Sequence, residues 1–258
     1  MAQQTFVDLA TAQAARGLRL VVLGGVPSPW SEGAKGVFRL AGVDLLLVRL
    51  EGRAPDVRAW TGVDNAPVAM QDDEPPRSRW DEILALAERL APAAPLLPAS
   101  PEARAEALQL AREICDPDGL AWSGRLLLVD ASLRSQGKVG FPVRIAEYLG
   151  RKYGYASERV PAAAKRLNAI MDRLAARLGA TSGGAAYLVG DAVSAADIYL
   201  ATALGPYVPL PPELCAMNPA MRQAFESFAA SNELRVPAPI LAHRARMYER
   251  HLELPVRL

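Results

Sequence analysis

Two histidines and two cysteines are all the imidazole and thiol in this chain of 258 residues. Cys115 and Cys215 lie a hundred positions apart, which leaves neither a disulfide framework nor a cysteine-rich metal site. His243 and His251 fall eight apart on one amphipathic stretch and read as surface or packing residues, so histidine-based triads and multi-histidine metal sites are excluded as the main chemistry. Cys215, after Pro211-Pro212, has no partner to activate it and reads as a small hydrophobe. Val26-Pro27-Ser28-Pro29-Trp30-Ser31 carries two hydroxyls ahead of a helical run. Serine followed by proline marks a helix start, with the serine as cap and proline at the first helical position. The free N–H groups of such a start, the positive end of the helix dipole and a hydroxyl together stabilise an anion. Ser28 also reads as a plain cap, and Ser31 as an ordinary first-turn serine.

The elements that must position these serines follow from periodicity. Leu18 to Gly25 is a β-branched apolar run stopped by glycines, a buried strand. Ala34, Val37, Phe38 and Ala41 then recur at helical spacing, and Asp44 to Leu50 forms a second strand, completing a right-handed βαβ unit. Pro67 to Met70 is a third short strand. The acidic Asp72-Asp73-Glu74 sits in a proline-broken turn, after which Ser78 and Asp81 are spaced as a capping pair for a helix with Trp80, Ile83, Leu84 and Ala87 on its apolar face. Pro92, Pro95, Pro98 and Pro101 fall within ten residues and mark a domain boundary. Beyond it the pattern is helical. Leu108, Ala111 and Cys115 share one face, as do Leu167, Ile170, Met171, Leu174 and Leu178. Ser194 and Asp197 form a capping pair flanked by a Val193–Ile198 staple, and Leu241, Ala245, Tyr248 and Leu252 face one way on a last helix. The expected organisation is an N-terminal extension over 1–17, an α/β domain over 18–90, a proline-rich linker over 91–100 and an all-α domain over 101–258.

Hydrophobic residues make up 51% and charged residues 22% of the chain, which excludes wholesale disorder and a coiled coil. Lys and Arg number 29 against 28 Asp and Glu, a net charge of +1. No strong field recruits nucleic acid or an anionic membrane. No apolar run reaches the roughly 18 residues of a membrane span, and Met1 to Gly17 lacks the layout of a signal peptide, so a cytoplasmic protein is expected.

A small α/β domain, a linker and a helical domain carrying Leu188-Val-Gly190-Asp191-Ala-Val-Ser194-Ala-Ala-Asp197 together resemble the glutathione transferase superfamily over residues 18–258. Asn65-Ala66-Pro67-Val68 is similar to the proline, cis in that family, that precedes the third strand. The resemblance implies a thioredoxin-like N-terminal domain plus an all-α C-terminal domain, assembled as a homodimer. It further implies glutathione as co-substrate, without a metal, and a small apolar electrophile as partner. The glutathione thiolate would be held by Ser28 or Ser31, with Trp30, Ala66 and Pro67 lining its site and the Ala66 backbone pairing with the cysteinyl part. A free thiol has a pKa near 8.5, so lowering it by about two units, roughly 2.7 kcal/mol, makes it mostly thiolate at neutral pH. The absence of a cysteine at this position disfavours thiol–disulfide exchange.

The family's acidic residue and serine at the start of the third helix are replaced here by Arg77-Ser78-Arg79-Trp80. Ser78 is then the expected carboxylate site, with Arg77 or Arg79 adding charge. After the break at Asp116-Pro117-Asp118-Gly119, Trp122 reads either as the floor of an electrophile pocket or as a packed core residue, and residues Arg134 to Phe141 as a rim loop. Two alternatives stand beside the transferase reading: a non-catalytic binding module that keeps the fold, and an enzyme using another small thiol.

Overall fold

The computed structural model of the chain describes residues 3–51, 55–63, 65–179 and 186–258. The α/β part runs β1 (Gln4–Phe6), α1 (Leu9–Ala14), β2 (Leu18–Leu23), α2 (Pro29–Ala41), β3 (Leu45–Leu50), α3 (Pro55–Thr61), β4 (Val68–Gln71) and α4 (Trp80–Leu90). Its sheet has the order β1-β3-β2-β4. β2 and β3 pair in parallel from Arg19 opposite Leu46 to Leu23 opposite Leu50, and β4 runs antiparallel to β2.

Side chains alternate across β2, so Leu18, Leu20 and Val22 join the core shared with α2 and α4, while Val21 joins Ala12, Val57 and Met70 on the other face. Residues 3–17, expected as an extension, form an added edge of this sheet. β1 pairs in parallel with β3, and α1 is capped by Asp8, which accepts a 2.7 Å hydrogen bond from the Thr11 N–H. The far end of the chain holds that edge. Arg257 donates to Gln4 O at 2.8 Å, Arg49 Nε donates to Leu258 O at 2.6 Å, and the Arg49 guanidinium lies 3.7 Å from the centre of the Phe6 ring.

The predicted cap of α4 is displaced by one residue. The N-cap is Arg79, and Glu82 supplies the carboxylate, accepting from the Ser78 and Arg79 N–H groups at 3.2 and 3.1 Å. The cause is the Ala69–Arg77 bridge, which keeps the chain extended through Arg77 and delays the first helical turn.

Residues 91–100 lead into the helical domain: α5 (Pro101–Cys115), α6 (Leu120–Arg134), α7 (Val143–Tyr153), α8 (Val160–Gly179), α9 (Ala195–Ala203), α10 (Pro219–Ala230) and α11 (Ala238–Arg250). Every residue of α9 is buried, and it packs against α2, α5 and α11. Its start is a closed network in which Asp197 accepts from Leu188 N–H at 2.7 Å, from Ser194 N–H and Oγ–H at 2.8 Å each, and from His243 Nε2 at 2.9 Å. His243 is therefore a packing residue of the core, with 1% of its surface exposed.

Gly36 lets α2 approach α9, since a Cβ there would lie 2.5 Å from Ile198 and 2.7 Å from Leu252. Among the described residues no helix is long and apolar enough to cross a membrane.

Candidate functional site

β2 ends at Leu23, the chain turns at Gly24-Gly25, and α2 begins with Pro29 at its first position and Ser28 as N-cap. Ser28 O accepts the first helical bond from Glu32 N–H at 2.9 Å, yet the Ser28 hydroxyl makes no cap hydrogen bond. The N–H groups of Trp30 and Ser31 are engaged by no described residue. This leaves a helix start of 13 residues with unspent donors and an unspent hydroxyl, the arrangement that holds an anion.

The two candidate serines differ sharply. Ser31 is fully buried, and its Oγ accepts from the Leu23 N–H at 3.1 Å, pinning the helix to the end of β2. Ser28 is 6% exposed and has no such commitment.

Ala66-Pro67 is a cis peptide immediately before β4, and Pro67 joins Pro29, Trp30 and Ser78 in lining a cleft between the two domains. The far walls are Trp80 and Ile83 of α4, Ile114 and Cys115 of α5, Ala121 of α6, and Tyr199 and Ala203 of α9. The cleft is tight, with about 20 Å³ open to water, room for one or two water molecules.

Two indole N–H bonds bridge it. Trp30 Nε1 donates to Cys115 O at 3.2 Å and Trp80 Nε1 to Asp116 Oδ1 at 2.6 Å, so consecutive residues at the end of α5 anchor both tryptophans. Tyr199 donates to Trp80 O at 3.2 Å and meets the Trp80 ring edge-on at 5.6 Å. Burial, with the Asp116 charge beside it, holds the Cys115 thiol well above its ordinary pKa. It faces the cleft as a neutral thiol.

Around the expected carboxylate site, the structure keeps Ser78 at the cleft and pairs both arginines with carboxylates. Arg77 is paired with Glu74 at 2.6 Å, and Arg79 grips Asp81 through Nε and Nη2 at 3.0 and 2.9 Å. The acidic turn is likewise occupied: Asp72 accepts from the Gly17 N–H, Asp73 pairs with Arg16, and Glu74 also pairs with Arg89. Arg79 is thus compensated by Asp81, while Arg77 and Arg89 share the single carboxylate of Glu74.

Trp122 belongs to an aromatic wall. It meets Tyr153 edge-on with ring centres 4.7 Å apart and Trp30 at 6.5 Å, while Tyr153 stacks on Trp30 at 5.8 Å. The expected rim loop instead folds back on α6, where Ser132 Oγ accepts from the Phe141 N–H at 2.8 Å and Phe141 is buried.

Tyr153, Tyr199 and Asp116 were not singled out by motif. Tyr199 has the one usable signal, its place in the helix behind the Ser194–Asp197 cap, whereas Tyr153 meets Trp30 and Asp116 meets Trp80 only through the packing of α7 and the corner after α5.

Residues 157–246 match the family model described as the glutathione S-transferase C-terminal domain. The sequence matches no curated protein. Among solved structures, the chain is similar to a glutathione S-transferase domain-containing protein from Marinobacter aquaeolei VT8, at 18% identity and TM-score 0.59, covering 90% of this chain and 98% of that one. A tau class glutathione S-transferase from mango aligns at 17% identity and TM-score 0.58, over 92% of this chain and 90% of that one. A glutathione S-transferase from Methylobacterium radiotolerans, solved in complex with glutathione sulfonate, aligns at 18% identity and TM-score 0.52, over 88% of this chain and 93% of that one.

Proposed function

We propose that this chain, whose residues 157–246 match the glutathione S-transferase C-terminal domain model and whose fold is shared with solved glutathione S-transferases, is a glutathione transferase-like protein that binds glutathione in the interdomain cleft and ionises its thiol at the start of α2. The carrying observation is the unspent cap: the Ser28 hydroxyl makes no cap bond, and the first-turn N–H groups beside it have no acceptor among the described residues. In this reading the bound thiol gives its proton to water, and Ser28 Oγ–H donates a hydrogen bond to the resulting sulfur anion. The helix dipole adds to the stabilisation. The thiolate then forms a bond to the electrophilic carbon of a small apolar substrate lying against the wall of Trp30, Trp122 and Tyr153, and the electron pair displaced from that carbon departs with the leaving group in a substitution or takes a proton from water in an addition. Ala66 pairs its backbone with the peptide-like centre of the ligand, and Ser78 receives a carboxylate through its hydroxyl. We further propose a homodimer, which light scattering tests as twice the chain mass.

Specific observations favour a second reading. Arg77 and Arg79 are already paired with carboxylates, which leaves less charge for a ligand with two carboxylates and suits a thiol smaller than glutathione. Calorimetric titration with reduced glutathione, and in parallel with cysteine, separates the two. Micromolar to low-millimolar glutathione binding supports the first reading. Binding of cysteine alone supports the second, and heat with neither moves the protein to a non-catalytic binding module.

A further inference from the structure

α2 carries a charged stripe of the kind that ordinarily faces water. Glu32, Lys35 and Arg39 stand apart from the core face of Ala34, Val37 and Phe38, yet Glu32 is only 7% and Lys35 only 4% exposed. What covers them is the chain after α11. Leu252 lies against Gly36, and Leu252, Glu253 and Val256 line one small cavity with Glu32 and Lys35. Lys35 Nζ holds both oxygens of Glu32, at 3.2 and 2.9 Å, and also donates to Arg257 O at 2.6 Å.

Two paths lead from this covering segment to the start of α2. Glu32, whose carboxylate Lys35 holds, donates its own N–H to Ser28 O at 2.9 Å. Val256 N–H donates to Leu214 O at 2.7 Å, and four residues after Leu214 the Asn218 N–H donates to Gly25 O at 2.9 Å, in the turn that leads into Ser28.

Burying an ion pair costs desolvation that its own attraction repays poorly, and burial pushes the Glu32 carboxyl above its ordinary range despite Lys35 beside it. Lifting the segment off returns both charges to water, which offsets part of the bonds lost. Of the elements packed on α2, this is the one whose release costs least.

We propose that residues 252–258 form a releasable strap that regulates the α2 start: docked on Glu32 and Lys35, it keeps Ser28 and the first-turn N–H groups ordered for an anion, and released, it lets them loosen. As regulation of that site it rests on the thiol reading, while the coupling of strap to helix start is measurable with no thiol present.

The test is amide hydrogen exchange, read by NMR on the full chain and on a variant carrying Arg49→Met and Arg257→Met, which removes the side-chain bonds to Leu258 O and Gln4 O without touching α2. Exchange at Val256 and at Glu32 should both rise about tenfold or more, while Leu174 of α8 stays as in the parent. If Val256 exchanges as in the parent, Val256→Asp forces the strap off, because the docked strap would bury an unpaired carboxylate, and Glu32 is read there. Glu32 protected as in the parent while the strap is free overturns the inference. So does equal loss of protection at Leu174 and Glu32, since the strap then supports the whole molecule and not the helix start.

Reduced glutathione, titrated into the same proteins, should bind the strap-released variant about tenfold more weakly than the parent, because only the ordered fraction is competent. Unchanged affinity overturns the regulatory role. A parent that gives no heat with glutathione fails the thiol reading, and the exchange at Glu32 then decides the strap by itself.

Discussion

Among the helices that begin at a serine, α2 and α9 handle that start in opposite ways. At α9 the Ser194 hydroxyl and N–H both donate to Asp197, the carboxylate takes two further bonds from Leu188 and His243, and the whole assembly is buried. At α2 the Ser28 hydroxyl makes no cap bond, and no described residue engages the N–H groups of Trp30 and Ser31, beside an interdomain cleft. The physics of a helix start is the same in both: several N–H groups without intrahelical partners, and a positive dipole end. Where the protein supplies its own anion, that potential goes into stability. At α2 it is left for a ligand.

The largest test of this contrast is at the closed start. Asp197→Ala removes an acceptor of four buried bonds and should cost about 3–5 kcal/mol in urea unfolding, as breaking a buried charged network does. If the variant does not fold, Asp197→Asn gives a measurable midpoint between it and the parent. A loss under about 1 kcal/mol would mean that the α9 start is not the structural anchor its geometry indicates.

At the open start the effect should fall on chemistry instead. Ser28→Ala should lower kcat/KM toward a small apolar electrophile about 100-fold and move the acidic limb of its pH profile up by about two units. The unfolding midpoint should barely move, because no cap bond is lost. A stability loss of about 1 kcal/mol with unchanged turnover would make Ser28 a cap after all.

How much of this contrast is legible in the sequence depends on how local its cause is. The Ser194–Asp197 pair, the Ser28-Pro29 start and the β2–α2–β3 unit are set by neighbours within one element, and spacing reveals them. β1 is three residues long, too short for a period of two to show, and it exists because β3 and the C-terminal Arg257 hold it. The cap of α4 slips from Ser78 to Arg79 because Asp81 and Glu82 both present a carboxylate, and the distant Ala69–Arg77 bridge decides between them. Nothing local says that Arg77 and Arg79 are already paired. Nor does it say that Trp30, Trp122 and Tyr153, from three helices, stack into one wall.

Ser31 sharpens the comparison from beneath, because it sits in the same helix start as Ser28 and serves the opposite end. Ser31→Ala leaves the half-buried Leu23 N–H without its acceptor and should cost about 1–2 kcal/mol of stability. Once any loss of folded protein is allowed for, the pH profile of turnover should keep its midpoint. A shifted midpoint in Ser31→Ala together with an unshifted one in Ser28→Ala would exchange the roles of the two serines.

The smallest effect belongs to the intermediate case, the start of α4. Glu82 caps it by accepting from the Ser78 and Arg79 N–H groups, but in an exposed setting where water replaces a lost partner. Glu82→Ala should therefore cost no more than about 1 kcal/mol. It also frees the Ser78 N–H at the edge of the cleft, so an added anion gains a donor there. Titration with reduced glutathione reads the difference. Tighter binding by the variant would show that the capping carboxylate competes with the ligand for the start of α4, as the satisfied start of α9 excludes one altogether. Unchanged affinity would confine the anion-binding role to α2.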